Sequence, residues 1–277
     1  MDDASLRADM IEGLEHELGS PVEPPVLTAL QRVPREPFVD DPSPNTDATD
    51  DAHSLSLAAV VRLLTALDAE DGDEVLVVGA GVGYSVALLA EIAGARRVHA
   101  VDIDRAAVAA ARSNLDAAGY GAVLVDRADG ANGLPAYAPY DRILVETAVV
   151  EPPRALRDQL TPDGRIAYPR GTGVQTIAAV ERATAGPGAD NRADRKADGR
   201  ADTPAATPEP TGSDDDAPAG FETVGTFGPV RLRPMLVDGE QRGVERNRTR
   251  REDAEHAAQG RRPNGWEQEW IDWDDKL

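Results

Sequence analysis

Cysteine is absent from this chain. That excludes disulfides, thiolate zinc sites and cysteine nucleophiles, and it fits a reducing compartment. Lysine is nearly absent too: Lys196 and Lys276 are the two lysines, and every other cation is arginine. Histidine is scarce, with four scattered residues, so no histidine-centred catalytic cluster stands out. The first ten residues, MDDASLRADM, are acidic and contain no apolar h-region. A secretory signal is therefore not expected, and a cytoplasmic location is.

What remains is acidic and of ordinary hydrophobic content. The chain has 277 residues, 41% of them hydrophobic, enough to build one sizeable core. Its formal net charge is −21. Such a surface repels itself and disfavours a broad nucleic-acid footprint, so no nucleic-acid partner is expected. An acidic, lysine-poor chain has the character of a cytosolic protein from a salt-loving organism. At molar salt the Debye length falls to about 3 Å and the repulsion is largely screened.

The stretch EVLVVGAGVGYSVALLAEIAGA, residues 74–95, is long and apolar enough to be weighed as a membrane span. Two features argue against one. Glu91 lies inside it, and its periodicity changes partway. Val75–Val78 is a short β-branched burst of the kind found in a buried parallel strand. Beyond the glycines, Val86, Leu89, Ala90 and Ala93 recur at helical spacing on one face. The stretch thus predicts a strand, a tight turn through Gly79, Gly81 and Gly83, and a helix. That is the nucleotide-binding start of a doubly wound sheet. The dinucleotide fingerprint has its glycines at G-x-G-x-x-G, and Tyr84 stands where its third glycine would fall. The tighter G-x-G-x-G spacing points instead to S-adenosyl-L-methionine (SAM), which has no pyrophosphate to place on the helix end.

Strand and helix signals alternate from there. Val98–Val101 predicts a second strand ending in Asp102, and Asp104 a helix N-cap. Val108, Ala111, Leu115 and Ala118 form a helical stripe closed by Gly119. A third strand precedes Asp129-Gly130, a fourth lies around Ile143–Val145, and a fifth closes at Tyr168-Pro169. A sixth follows in VQTIAAVERA. This alternation implies a mostly parallel sheet with right-handed crossovers, whose ligand crevice lies at the carboxyl ends of the strands. Gly79, Asp102 and Asp129 all sit at such ends, so one cleft can collect them.

The expected organisation is an N-terminal helical and loop region over 1–57 and an α/β domain over 58–182. A disordered acidic linker, rich in Ala, Asp, Pro and Gly, follows over 183–220. The last strand or strands occupy 221–239, and a charged tail 240–277. The linker reads as an expanded loop between two strands. In the tail, Trp266, Trp270 and Trp273 fall on one helical face, suited to docking on the domain or on a partner. The arginines of 246–251 are interleaved with acids and read as a solvated face.

Taken together these stretches resemble the protein-L-isoaspartate O-methyltransferase family, within the class I SAM-dependent methyltransferases. VPREPFV (Val33–Val39) is similar to that family's V-P-R-x-x-F-V motif. Gly79, Gly81, Gly83 and Tyr84 match its G-x-G-x-G-Y turn. DGANGLP, APYDRILVETA, QLTPDGRIAYPRG and VRLRPML follow in the family's order. The resemblance implies a doubly wound, mostly parallel α/β sheet of Rossmann-like type. Gly79, Gly81 and Gly83 would hold the methionine part of SAM, Asp102 would accept from the ribose hydroxyls, and Asp129 would lie beside the adenine. The implied partner is a damaged protein or peptide carrying isoaspartate, with no membrane and no metal in the reaction.

Two departures from the family pattern stand out. The acceptor segment I-S-x-P-H is here LSLAA, Leu55–Ala59, which keeps Ser56 but replaces the proline and histidine with Ala58 and Ala59. Ser56 would hydrogen-bond the acceptor carboxylate, and His53 is a nearby polar substitute. The acid that the family carries at the end of the first strand, V-L-D/E-x-G, is Val77 here. Three rival readings follow: a methyltransferase with another acceptor, a SAM-binding interaction module without turnover, and a nicotinamide oxidoreductase. The charge balance carries its own prediction. The fold should be markedly more stable in molar potassium chloride than in dilute buffer, and thermal melts giving equal stability in both would refute the halophilic reading.

Overall fold

The computed structural model describes residues 3–39, 55–183 and 217–236. His53, nearly all of the 183–220 linker, the arginine cluster and the three tail tryptophans lie outside the described residues. Three helices precede the first strand: α1 (Asp3–Leu18), α2 (Pro24–Arg32) and α3 (Leu57–Leu67). Then come β1 (Val75–Val78), α4 (Tyr84–Leu89), β2 (Val98–Asp102), α5 (Arg105–Ala117), β3 (Leu124–Arg127) and β4 (Tyr140–Val145). A short helix, α6 (Arg154–Asp158), leads to β5 (Leu160–Arg170), β6 (Gln175–Arg182) and β7 (Phe221–Val230).

The strands form one seven-stranded sheet in the order β3-β2-β1-β4-β5-β6-β7. β1 through β5 pair in parallel, and β6 and β7 add an antiparallel hairpin at one edge. This is the expected mostly parallel, doubly wound sheet. Its strand order reverses between β1 and β4, which sets a topological switch point there.

Both faces of the central strands are buried, which is why β1 reads as an unbroken apolar run rather than an alternating one. Val75 and Val77 point into the core shared with α1–α5, while Leu76 and Val78 point into the core on the opposite face. β4 divides in the same way, with Leu144 on the first face and Ile143 and Val145 on the second. α3 supplies the first core with Leu57, Leu63, Leu64 and Leu67, all at most 2% exposed. Burying each such side chain contributes about 1.5–3 kcal/mol.

The apolar run after the glycines is folded inward, as its interrupted pattern implied, and no described helix is long and apolar enough to cross a membrane. Every residue of α4 is buried, and Val86, Leu89, Ala90 and Ala93 are at most 4% exposed. Its last turn widens into a π-turn over Ala90–Gly94, a departure from the regular helix expected. Glu91, the charge inside the run, lies in that turn. It accepts from Arg32 of α2 at 2.6 Å and from the Tyr120 hydroxyl at 3.1 Å. Burial and this carboxylate together push the Tyr120 hydroxyl up to about 12.

The helix signals on α5 hold. Asp104 caps it by accepting from the Ala106 N–H at 2.7 Å, and Gly119 ends it at φ +88°. β5 begins earlier than the sequence suggests. Thr161–Gly164 bulges out between the Tyr140↔Leu160 and Arg142↔Arg165 pairs, so the expected turn is absorbed into the strand. β6 and β7 pair from Arg182↔Phe221 onward, and the Ala183 N–H donates to the Gly220 carbonyl at 3.0 Å. The two ends of the 184–216 segment therefore meet as a hairpin connection. Closing a long hairpin loop costs only about 0.6 kcal/mol more per doubling of length.

Gly130 begins a single 3₁₀ turn, Gly130–Asn132, that packs onto the end of β1. A Cβ at Gly130 would come within 2.3 Å of Val78 Cγ1, so this glycine is set by packing rather than by backbone angle. Gly130→Ala should cost about 1–3 kcal/mol by overpacking. Adding Val78→Ala should return part of that loss. Denaturant titration of the two single variants and the double variant measures the coupling, and strict additivity would refute the contact.

Candidate active site

The cleft opens at the carboxyl ends of β1 and β4. Gly79, Gly81 and Gly83 have φ of +95°, +52° and +93°. All three lie in the left-handed region, which non-glycine residues seldom adopt. The alternate spacing in sequence is thus the alternate reversal of the chain in space. The N–H groups of Gly79 and Ala80 donate to the Val101 carbonyl at 2.8 and 3.1 Å, tying the turn to β2. A Cβ on Gly83 would sit 3.3 Å from Ala111 Cα and Leu115 Cγ, so the turn also packs closely against α5.

Asp102 ends β2 beside this turn. Its Oδ2 accepts from the Gly81 N–H at 3.0 Å and its Oδ1 from the Asp104 N–H at 2.9 Å. One carboxylate therefore fixes the glycine turn and the start of α5 together. Asp129 follows β3 and accepts from the Ala131 N–H at 2.9 Å. Gly79, Gly81, Gly83, Asp102 and Asp129 all fall at the carboxyl edge of the sheet, where the sequence placed them. Ser56 is the N-cap of α3, its Oγ accepting from the Ala59 N–H at 3.3 Å. Ala58 and Ala59 are buried in the first turn of that helix.

The cleft is lined by Arg35, Leu55, Gly83, Tyr84, Ser85 and Glu146, among others. The VPREPFV segment builds one wall. Arg35 is 6% exposed with its guanidinium 5.5 Å from the Tyr84 ring centre, and Phe38 packs on the same ring at 5.5 Å.

In the sequence Glu146 is simply part of ILVETA, with no local motif to mark it. It lies directly past β4, where its N–H donates to the Val78 carbonyl at 2.8 Å and extends the ladder by one step. The residue is partly exposed as a whole, but its Oε1 is enclosed and accepts no hydrogen bond among the described residues. Burial pushes its carboxyl up to about 8; Ser85, hydrogen-bonded to it, opposes the shift, and the Asp102 charge adds to it. The available signal was positional: an acid directly after a buried strand, next to the switch point.

The site holds three carboxylates, those of Asp102, Asp129 and Glu146, beside a bare glycine turn. Carboxylates accept hydrogen bonds and repel anions, so this set suits a ligand with hydroxyl and cationic groups better than a pyrophosphate. A Cβ on Gly79 would lie 3.4–3.5 Å from Thr147 Cγ2 and Glu146 Cβ, so the bare turn packs directly against the end of β4. The residues present fit SAM.

A seven-stranded sheet of this order, with a glycine turn after β1 and an acid after β2, defines a class I SAM-dependent methyltransferase. Two solved structures share the fold. One is a protein-L-isoaspartate O-methyltransferase, 25% identical with a TM-score of 0.54, covering 62% of this chain and 59% of that one. The other is a Plasmodium falciparum protein described as a putative protein-L-isoaspartate O-methyltransferase in complex with S-adenosyl-L-homocysteine. It is 13% identical, with a TM-score of 0.59, and covers 83% of this chain and 97% of that one.

Residues 6–193 match the family described as Protein-L-isoaspartate(D-aspartate) O-methyltransferase (PCMT), and the chain belongs to that family. Among its relatives is the protein-L-isoaspartate O-methyltransferase of Aeropyrum pernix, 42% identical over 58% of this chain and 66% of that protein. The Methanococcoides burtonii enzyme of the same name is 37% identical over 58% of this chain and 83% of its own length.

The carboxyl of Glu146 carries a pH prediction. Its folded value, about 8, lies above the ordinary 4.5. Between these values the unfolded chain has released the proton while the folded chain retains it, so the Glu146 contribution to stability falls as pH rises through this window and levels off above it. Glu146→Gln should remove that slope and leave the protein more stable than wild type at pH 9. Melting curves of both proteins at pH 5 and pH 9 test this, and parallel pH profiles would refute it.

Proposed function

We propose that this chain transfers the methyl group of SAM to the free carboxylate of an isoaspartyl residue in a damaged protein, giving the methyl ester. Family membership together with the glycine turn and acid at the β1–β4 switch point carries the reading. Bound SAM supplies an electrophilic methyl carbon on a sulfonium. The acceptor oxygen would bond that carbon as its bond to sulfur breaks, S-adenosyl-L-homocysteine would leave, and no proton would move.

A carboxylate is already ionised at neutral pH, so the step needs no general base. Among the described histidines, His16 and His99 lie outside the cleft lining, and His99 packs against Tyr137 at 4.6 Å. The work left for the chain is positioning, which supplies about 7–11 kcal/mol in favourable cases. Gly79, Gly81 and Gly83 admit the methionine part of the donor. Asp102 has lone pairs beyond the two engaged by Gly81 and Asp104, and these accept from a ribose diol. Asp129 flanks the base. Ser56, its oxygen engaged as a cap, keeps its own O–H to donate to the acceptor carboxylate. Arg35 in the cleft wall gives an anionic acceptor a favourable field.

A second reading, a different methyl acceptor, rests on Leu55–Ala59. Two apolar alanines buried in α3 stand where the family has its proline and histidine. The acidic, lysine-poor composition further supports a protein adapted to high salt.

With labelled SAM and an isoaspartyl peptide, the full chain should form base-labile methyl ester, and the matching aspartyl peptide should not react. Label on another acceptor class alone would favour the second reading, and donor binding with no turnover would overturn both. Asp102→Ala should weaken SAM binding about 10- to 100-fold, as for a lost charged hydrogen bond. Unchanged calorimetric affinity would remove Asp102 from the site.

A further inference from the structure

The first strand lacks a carboxylate at Val77, yet a carboxylate stands on the same face of the sheet one strand away. Val77 pairs with Leu144 in the parallel register, and both point into the core shared with α1–α5. Side chains alternate along a strand, so Glu146, two residues beyond Leu144, faces the same side, about 6.6 Å further toward the carboxyl edge. That edge is the cleft floor. There Glu146 meets Ser85 at the start of α4 and lies against Gly79.

We propose that Glu146 is the anionic contact for the α-ammonium of the methyl donor, presented from the end of β4 in place of the acid missing from β1. The inference rests on the SAM-dependent reading given above. An enclosed carboxylate oxygen without a hydrogen-bond donor is costly in a folded protein unless something else satisfies it. Oε1 of Glu146 is such an atom, in the wall of the cleft. An ammonium carries three N–H donors and the complementary charge, and it belongs to the part of the donor that the glycine turn admits.

The surroundings define the proton balance. Asp102 faces Glu146 from the end of β2, Tyr84 and Ser85 from α4, Arg35 from the segment after α2, and Thr147 from its own loop. With its carboxyl raised to about 8, Glu146 is mostly protonated at pH 7. When it pairs with an ammonium, the carboxyl proton leaves to solvent and the ammonium keeps its own.

Calorimetry on the full chain tests this with two ligands. S-adenosyl-L-homocysteine carries the ammonium, and 5′-methylthioadenosine keeps the nucleoside and sulfur but lacks the amino acid. At pH 7, in buffers of low and high ionisation enthalpy, the wild-type chain should release close to one proton on binding S-adenosyl-L-homocysteine and none on binding 5′-methylthioadenosine. Glu146→Gln should bind the first ligand about 10- to 100-fold more weakly, without proton release, and the second within twofold of wild type. Equal weakening of both ligands would show a merely structural role and overturn the proposal. So would undiminished affinity for S-adenosyl-L-homocysteine. If Glu146→Gln does not fold, wild-type proton release decides, and its absence overturns the proposal. A wild-type chain that binds neither ligand would defeat the SAM-dependent reading as well, which separates the two failures.

Discussion

The structure turns on the bond between the Gly81 N–H and the Asp102 carboxylate, 3.0 Å long. A chain leaving a buried parallel strand must reverse into a helix within a few residues, and here it does so with three left-handed residues in alternation. That geometry exposes backbone N–H groups that need acceptors. Val101 and Asp102 of the neighbouring strand supply them. The turn is therefore held open by the sheet itself. The same carboxylate takes the Asp104 N–H, so the starts of α4 and α5 are set by one pair of oxygens.

From that bond outward the architecture opens a cleft at one edge. The strand order reverses between β1 and β4, leaving a gap in the helix layer above their carboxyl ends. α3 and the VPREPFV segment close one side of the gap with Leu55, Arg35 and the Phe38–Tyr84 pair. The opposite edge of the sheet carries structural charge instead. Arg165 reaches Asp68 at 3.0 Å and Glu181 at 2.7 Å, and Arg142 donates to the Asp68 carbonyl at 2.9 Å. These partly exposed pairs fasten α3's end to β4–β6 and contribute little each in water.

Ala58 and Ala59 are buried in the first turn of α3. Beside Val77, which pairs with Leu144 on one face of the sheet, the adjacent strand β4 leads into Glu146 two residues further on. A buried carboxylate held near neutrality is a cost to the fold, of the kind tolerated where a site uses it.

The sequence by itself determined the strands, the glycine turn and the caps. These are local matters: β-branched bursts bury on both faces, alternate glycines permit positive φ, and Asp104 can bond an N–H two residues on. It also determined that Asp102 and Asp129 would share one edge, since parallel strands end on the same side. The tertiary structure alone decided which faces meet there. Glu146 gains its meaning from β4 lying beside β1, a pairing of residues about seventy positions apart that no local pattern encodes. The packing of Gly130 on Val78, the bulge at Thr161–Gly164 and the Glu91–Arg32 contact were likewise hidden, because each depends on how distant segments approach rather than on what either segment prefers alone.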